Sequence, residues 1–159
     1  MNRSAGKPVG GRLAFSLLEV VLVLLILATL SMLAVPRYAA SLNYYRADLA
    51  SKRIAADLAM ARNNAWASGT RRTATFDVGG SSYVLAGIRG LDRATADYAV
   101  GLSGDPYYAQ ILSVSFEGQS SVTFDGYGMP DRGGQIVVRV GSVQKTVVLD
   151  RNSGNVSVQ

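Results

Sequence analysis

One carboxylate, Glu19, lies inside an apolar run that is long enough to cross a membrane. The run extends from Leu17 to Val35, and apart from Glu19 only Thr29 and Ser31 interrupt it. A carboxylate near the apolar core of a bilayer costs about 2.5–3.5 kcal/mol on insertion scales, so such a group is expected to have a partner. Glu19 is therefore the first candidate for a functional ion pair in this chain.

The composition excludes most catalytic chemistry. The 159 residues include no His and no Cys, so a Ser-His-Asp triad, a cysteine nucleophile and a zinc site of His and Cys ligands are impossible. No cluster of carboxylates and no pairing of Ser with Lys stands out in their place. We therefore predict that the chain is not an enzyme and has no catalytic, cofactor-binding or metal-binding residues. An enzyme held by a signal anchor is the disfavoured alternative.

Two carboxylates, Asp125 and Asp131, flank the glycine-rich stretch GYGMP. Ca²⁺ prefers carboxylate and carbonyl oxygens, which such a loop could supply. The spacing does not match a known calcium-binding loop such as the EF-hand. We therefore interpret the stretch as a β-turn with solvated Asp side chains.

Three aromatic residues beyond the apolar run are candidates for a contact surface. Trp66 and the pair Tyr107–Tyr108 could anchor a partner on the outside of the protein. Large aromatic side chains contribute most to cores, however, and we expect these three to be core residues.

The charge distribution argues against a nucleic-acid partner. The formal net charge of +5 would by itself suit nucleic acid or anionic lipid. However, Arg3, Lys7 and Arg12 precede the apolar run, and the remainder of the chain has 13 basic and 11 acidic residues. No basic cluster exceeds a pair of neighbouring residues, so the sequence disfavours nucleic acid.

The apolar run predicts a single membrane crossing. About 20 apolar residues at 1.5 Å per residue span a hydrocarbon core of about 30 Å. Three cations precede the run and none lies within it, which predicts a cytoplasmic N-terminus and export of the rest of the chain, although Arg37 directly follows the run. A buried core helix is disfavoured because a domain of this size rarely hides a helix that is apolar all round. A secretory signal peptide is disfavoured because the run is too long and AVPRYAAS is a poor cleavage site.

Together, these residues form a recognisable pattern. The start of the chain resembles the class III signal segment of type IV pilins and pseudopilins. It consists of a short basic leader, a small residue and then the stretch FSLLEVVLVLLILATLSMLAVPRY. The resemblance implies cleavage between Ala14 and Phe15 and N-methylation of Phe15 as the first mature residue. Glu19 matches the glutamate of the family, and Pro36 matches its helix proline. Ala14 departs from the Gly of the family pattern, and Ala is the least disruptive replacement for it.

The resemblance also supplies a partner for Glu19. In this family the methylated α-amine of the first residue stays cationic, so Glu19 can pair with the Phe15 amine of an adjacent subunit during assembly. A polar group among apolar helices can fix their register, as a buried Asn does in coiled coils. Pro36 removes one helical hydrogen bond and clashes with the preceding turn. It could simply kink the helix, or it could be a weak point that stretches during filament packing, and the two are compatible.

The resemblance further implies partners and a location. The expected partners are other major and minor pilins or pseudopilins, the prepilin peptidase, the inner-membrane assembly platform and the lipid bilayer. The expected location is the bacterial inner membrane as a single-pass protein, and then the pilus or pseudopilus. We expect a cytoplasmic basic leader (1–14) that the peptidase removes, a transmembrane and assembly helix (15–37), a periplasmic half of that helix (38–68) and a β-rich periplasmic head (69–159).

A helical pattern continues beyond Pro36 as far as Gly69, which we expect to end the helix. Charged residues, Asp57 among them, are expected on the other faces. The apolar stripe recurs at spacings of three and four residues and comprises Ala47, Ala50, Ile54, Leu58, Ala61 and Ala65.

The remainder of the chain predicts strands. Residues 89–110 are polar and rich in Gly, Asp and Pro, and we expect a long irregular connection there. Strands clustered after one long helix indicate an α+β fold, with an antiparallel sheet packed on the helix as in pilins. The predicted strands are 73–78, 82–88, 113–117, 121–125, 135–140, 143–149 and 155–158.

The C-terminal half narrows the resemblance to the GspH/FimT group. Two stretches resemble the paired strands and glycine turns of that group, namely VTFDGYGMPDRGGQIVVRV and KTVVLDRNSGNVSV. Major pilins usually close a C-terminal loop with a disulfide, so the absence of Cys favours a minor, structural subunit of a type IV pilus or of a type II secretion pseudopilus. The alternative is a DNA-binding minor pilin for natural transformation, but the tail RNSGNVSVQ contains one Arg.

Mass spectrometry of the protein from its native membrane tests the cleavage site. We expect a chain that starts at Phe15 and is one methyl group heavier than its sequence. A mature N-terminus near Ala40 would instead indicate an ordinary signal peptide and contradict the pilin resemblance.

Overall fold

A long helix precedes all the strands that the structure contains. The computed structural model describes residues 16–89 and 97–159, apart from the side chain of Leu33. In these ranges it has one helix, α1 (Leu17–Ser68), and eight strands. The strands are β1 (Arg72–Asp77), β2 (Ser82–Arg89), β3 (Asp97–Gly101), β4 (Gln110–Ser115), β5 (Ser121–Phe124), β6 (Gly134–Val140), β7 (Val143–Leu149) and β8 (Val156–Val158).

The chain divides into two units, Met1–Ala39 and Ala40–Gln159. In the first unit the described side chains are exposed, although most of them are apolar. By length and composition α1 can cross a membrane. The predicted membrane-length helix is therefore present.

Both ends of α1 are capped by local hydrogen bonds. At the start, the Ser16 hydroxyl accepts the N–H of Leu18 at 3.3 Å. At the other end, Gly69 has a φ of +61°, the left-handed conformation that glycine adopts without strain. The N–H groups of Gly69 and Thr70 donate to the carbonyl oxygens of Trp66 and Ala65, which is the Schellman pattern. The prediction that Gly69 ends the helix is confirmed.

The second unit has one hydrophobic core, shared by the helix stripe and both sheets. Every residue of the predicted stripe is at most 1% exposed. On the strand side of the core, the ring centroid of Phe76 is 5.3 Å from that of Tyr83 and 5.8 Å from that of Phe116. The stripe on α1 is therefore the surface on which the strands pack.

The strands form two antiparallel sheets of four. Their orders are β3-β2-β1-β5 and β4-β6-β7-β8. The longest ladder joins β6 to β7, from Gly134 opposite Leu149 to Val140 opposite Val143. The α+β class with a long helix and antiparallel strands is confirmed. The expectation of one sheet is wrong, because the strands are divided between two sheets.

The predicted irregular connection at 89–110 is wrong in part. β3 lies within it, and β4 begins at Gln110, three residues before the predicted strand at 113. β3 is an edge strand in which only Tyr98 and Val100 are half-buried. Its alternation is weak because one edge and one face stay open. Residues 90–96 lie outside the described part of the chain.

Gly134 is the position where the strands leave no room for a side chain. A Cβ atom there would lie 2.6 Å from Cα of Phe116 and closer still to the backbone oxygen of Ser115. We expect Gly134→Ala to lower the free energy of unfolding by about 1–3 kcal/mol, because backbone atoms must move apart. Chemical denaturation of the full chain in detergent measures the loss.

Gly101→Ala is the matched control, because a Cβ at Gly101 meets no heavy atom within 4 Å. We expect a change within about 0.5 kcal/mol for this variant. Equal stability of the Gly134→Ala and Gly101→Ala variants would show that β4 and β6 are not held at the described distance.

Candidate assembly site

Glu19 lies in the first turn of α1, three residues after the capping Ser16. The carbonyl oxygen of Ser16 accepts the N–H groups of Glu19 and Val20 at 3.0 and 3.2 Å. The N-terminus of a helix carries a partial positive charge, so a carboxylate in the first turn is stabilising. Ser16 and Glu19 also have the spacing of a capping box, a local signal that the sequence analysis missed.

The two hydroxyl groups of the apolar run are satisfied within the helix. Thr29 Oγ1 donates to the carbonyl oxygen of Ile26 at 2.8 Å, and Ser31 Oγ donates to that of Leu27 at 2.7 Å. Among the residues that the structure describes, the carboxylate of Glu19 makes no hydrogen bond and no ion pair. Glu19 is thus the polar side chain of this run for which the described residues supply no hydrogen bond and no ion pair.

The other predicted site residues are placed only in part. Ala14 and Phe15 lie outside the described residues, so the structure does not show the cleavage site or the amine proposed to pair with Glu19. Pro36 lies inside α1, whose bounds extend well beyond it on both sides. The roles of these residues remain predictions.

A second polar cluster lies around Asp57, which was expected outside the buried apolar stripe of the helix but is itself buried. Asp57 is 5% exposed. Its Oδ2 accepts the hydroxyl of Tyr83 at 2.5 Å and Nε of Arg53 at 3.0 Å. The hydroxyl of Tyr98 donates to the same oxygen at 3.2 Å and also lies in contact with Arg53.

This cluster ties α1 to the sheet that contains β2 and β3. Asp57 and Arg53 are on the helix, whereas Tyr83 is on β2 and Tyr98 is on β3. Burial, and next the bond to Asp57, raises the pKa of Tyr83 well above its usual value, so the hydroxyl stays a donor. Burial also raises the pKa of Tyr98. A buried carboxylate that accepts three donors from the helix and from two strands is a structural tie.

The carboxylates Asp125 and Asp131 hold turns in place. Oδ1 of Asp125 accepts the N–H groups of Tyr127 and Met129, each at 2.9 Å. Oδ1 of Asp131 accepts the N–H of Thr123 at 2.9 Å. Each carboxylate therefore has at least one oxygen engaged with backbone donors. The predicted turn is present, but its Asp side chains bind the backbone and are not simply solvated.

Trp66 is not a core residue, contrary to expectation. It is 70% exposed, and Tyr108 is half exposed, whereas Tyr107 packs against the core. The exposure of Trp66 could have been predicted from the helical period. Ala65 belongs to the buried stripe, and the next residue along a helix points about 100° away from it. Trp66 faces outward for this reason.

The fold defines a class of protein: a long N-terminal apolar helix followed by antiparallel sheets is the α+β architecture of pilin-like proteins. Among solved structures, the minor pseudopilin EpsH from the Type 2 Secretion System of Vibrio cholerae matches with a TM-score of 0.54 and 11% sequence identity. The match covers 72% of this chain and 96% of that chain. At this identity it supports the fold alone.

The sequence identifies the family. Residues 50–154 match the family described as Type II transport protein GspH, and the chain belongs to the GspH family. A comparison with curated protein sequences gave no match. The resemblance to the GspH group is thus confirmed. Membership of a structural transport family also confirms the prediction that the chain is not an enzyme.

The Asp57 cluster can be tested by a single substitution. We expect Asp57→Asn to lower the free energy of unfolding by about 1–3 kcal/mol, because an amide cannot accept all the donors that surround the carboxylate. Asp48→Asn is the control, since Asp48 pairs with the solvent-exposed Lys52 at 2.8 Å and exposed pairs contribute little. Thermal unfolding followed by circular dichroism measures both variants, and equal losses would contradict the role of Asp57.

Proposed function

We propose that this chain is a minor pseudopilin of a type II secretion system, a structural subunit that assembles through its N-terminal helix. The family match over residues 50–154 carries the proposal, because the matched family is a type II transport family. The exposed apolar part of α1, from Leu17 to Val35, precedes the matched region and supports the proposal. Among the two alternatives that the sequence left open, this match favours a secretion pseudopilus over a type IV pilus.

Assembly on this proposal begins with processing by the prepilin peptidase. Cleavage after Ala14 produces a new α-amine on Phe15, which is then methylated. Glu19, which the described fold leaves without a partner, pairs with the Phe15 amine of an adjacent subunit. In an apolar surrounding such a charge-assisted pair aligns two helices in one register.

The proposed location is the inner membrane, with a cytoplasmic N-terminus and a periplasmic head. Support comes from Arg3, Lys7 and Arg12, which precede the apolar run. The proposed partners are other pseudopilins, the peptidase and the assembly platform in the membrane. Pro36, inside α1, is a proposed weak point at which the helix can kink or stretch as subunits pack.

The DNA-binding alternative receives little support from the head. Arg151 is the one cation of the tail that follows Asp150, and its guanidinium pairs with Glu117 at 2.8 Å. Proteins that bind DNA through phosphates usually present several cations together. The tail does not offer such a set.

The proposed ion pair is tested by Glu19→Ala in the native host. We expect insertion into the membrane and folding of the head to be unchanged, since removing the carboxylate lowers the cost of insertion. Crosslinking to neighbouring pseudopilins should fall by about tenfold or more, which corresponds to the loss of one charge-assisted hydrogen bond. Membrane fractionation and crosslinking yield are the two measurements.

Ser31→Ala serves as the control, because its hydroxyl is satisfied by Leu27 within the same helix. We expect this variant to crosslink like the unmodified protein. Undiminished crosslinking of Glu19→Ala would show that the carboxylate is not a docking group, and failure of the unmodified protein to crosslink to any pseudopilin would overturn the proposed function.

A further inference from the structure

The second unit carries a group of cations and aromatic rings near the start of its helical part. We name it the basic-aromatic patch, and it consists of Tyr44, Tyr45, Arg46, Tyr108 and Lys145. Tyr44 is 55% exposed and Tyr45 is 63% exposed, although both rings are large and mostly apolar. These tyrosines and cations belong neither to the core nor to the Asp57 cluster, so the packing of the head does not explain their position.

Each cation of the patch lies on a tyrosine ring. Nζ of Lys145 is 5.1 Å from the ring centroid of Tyr44, and Cζ of Arg46 is 4.5 Å from that of Tyr108. These are cation–π distances. The rings hold the cations in place without neutralising their charge, so the patch keeps two positive charges beside amphipathic rings.

The turn between β6 and β7 lies against the same part of α1. A Cβ atom on Gly141, in that turn, would lie 2.5 Å from the side-chain nitrogen of Asn43. Lys145 on β7 therefore belongs to the same surface as Tyr44 and Arg46 on the helix. The patch is built by the helix, by the β6–β7 hairpin and by the connection between β3 and β4, which contributes Tyr108.

Carboxylates do not neutralise the patch in the described part of the chain. The described ion pairs include neither Arg46 nor Lys145, and the nearest acid along the helix, Asp48, pairs with Lys52. From Val20 to Ala47 the sequence has no acidic residue at all. The surface is therefore open to an anionic partner.

The chain keeps this patch close to the membrane that the apolar run is proposed to cross. Tyr44 follows Val35, the last residue of that run, by nine residues. Even fully extended, nine residues cover only about 32 Å. The patch is therefore tethered within reach of one bilayer surface.

We propose that the basic-aromatic patch binds anionic phospholipid headgroups of the membrane that anchors the chain. Tyr side chains are favoured at membrane–water interfaces, where the ring is apolar and the hydroxyl is hydrated. Arg46 and Lys145 supply the attraction to negative headgroups. The proposal rests on the membrane anchoring stated above and adds a docked state in which the head lies against the bilayer before assembly.

Lipid fits this patch better than nucleic acid. The patch has two cations, whereas proteins that neutralise a DNA backbone usually make several phosphate contacts. Its tyrosines and its tether both suit a headgroup layer. Headgroups are also supplied at high local concentration by the anchoring bilayer itself, so two weak contacts suffice.

The experiment reconstitutes the full chain in nanodiscs of phosphatidylcholine alone or with about one third phosphatidylglycerol. Because the chain has no Cys, Ser142→Cys in the exposed β6–β7 turn gives one labelling position for a fluorophore. A lipid that carries a nitroxide on its headgroup quenches the fluorophore when the turn is near the surface. We expect stronger quenching with phosphatidylglycerol, and loss of that difference in high salt.

The test variant is Arg46→Gln with Lys145→Gln. Each cation near an anionic surface contributes about fivefold, so the ratio of docked to undocked heads should fall about 25-fold. The matched control is Arg132→Gln with Arg151→Gln, which removes the same charge from the opposite end of the β6–β7 hairpin. We expect the control to keep the dependence on phosphatidylglycerol.

The outcomes separate the inference from the proposed function. A chain that does not incorporate into nanodiscs overturns the membrane anchoring and the patch together. A chain that incorporates but is quenched equally in both lipids, or whose lipid dependence survives loss of Arg46 and Lys145, overturns the patch alone. If the chain binds a short DNA duplex and the Arg46→Gln, Lys145→Gln variant loses this binding, the patch is assigned to nucleic acid. That result would also overturn the proposed lipid binding.

Discussion

The close approach of a helix to two sheets depends on small side chains along one face of α1. Four of the six stripe residues are alanines with no exposed surface, and Ile54 and Leu58 fill the space between them. Alanine lets the helix backbone lie near the strands, whereas larger residues would push the layers apart at a cost of about 1–3 kcal/mol each. The shared core forms because this face has so little volume.

Much of the fold follows from local sequence signals. The stripe on α1, the stop at Gly69 and seven of the eight described strands could be predicted, although β4 begins three residues before the predicted position. Each of these features depends on neighbours within a few positions. The ladder between β6 and β7 is an example, since the turn at Gly141 and Ser142 joins two apolar strands directly. β3 could not be predicted in this way, because its five residues are stabilised by β2 and have little pattern of their own.

The candidate sites also differ in whether the local sequence reveals them. Glu19 stands out in the sequence because an acid in an apolar run is unusual wherever it occurs. Asp57 does not stand out, since charged residues at its spacing usually face water, and only the arrival of Tyr83 and Tyr98 from distant strands makes it a buried tie. The patch around Tyr44 depends likewise on Lys145, which is about one hundred positions away and reaches the helix only in the folded head.

The stripe on α1 also determines how the head responds to force. From Ala47 to Ala65 the buried contacts extend over about 27 Å of helix, with the Asp57 cluster near the middle. A pull along the helix axis loads these contacts in shear, so they share the tension and must fail together. A sideways pull at one end would instead break them one after another. A helix drawn along its own axis can therefore carry its head with it under mechanical load.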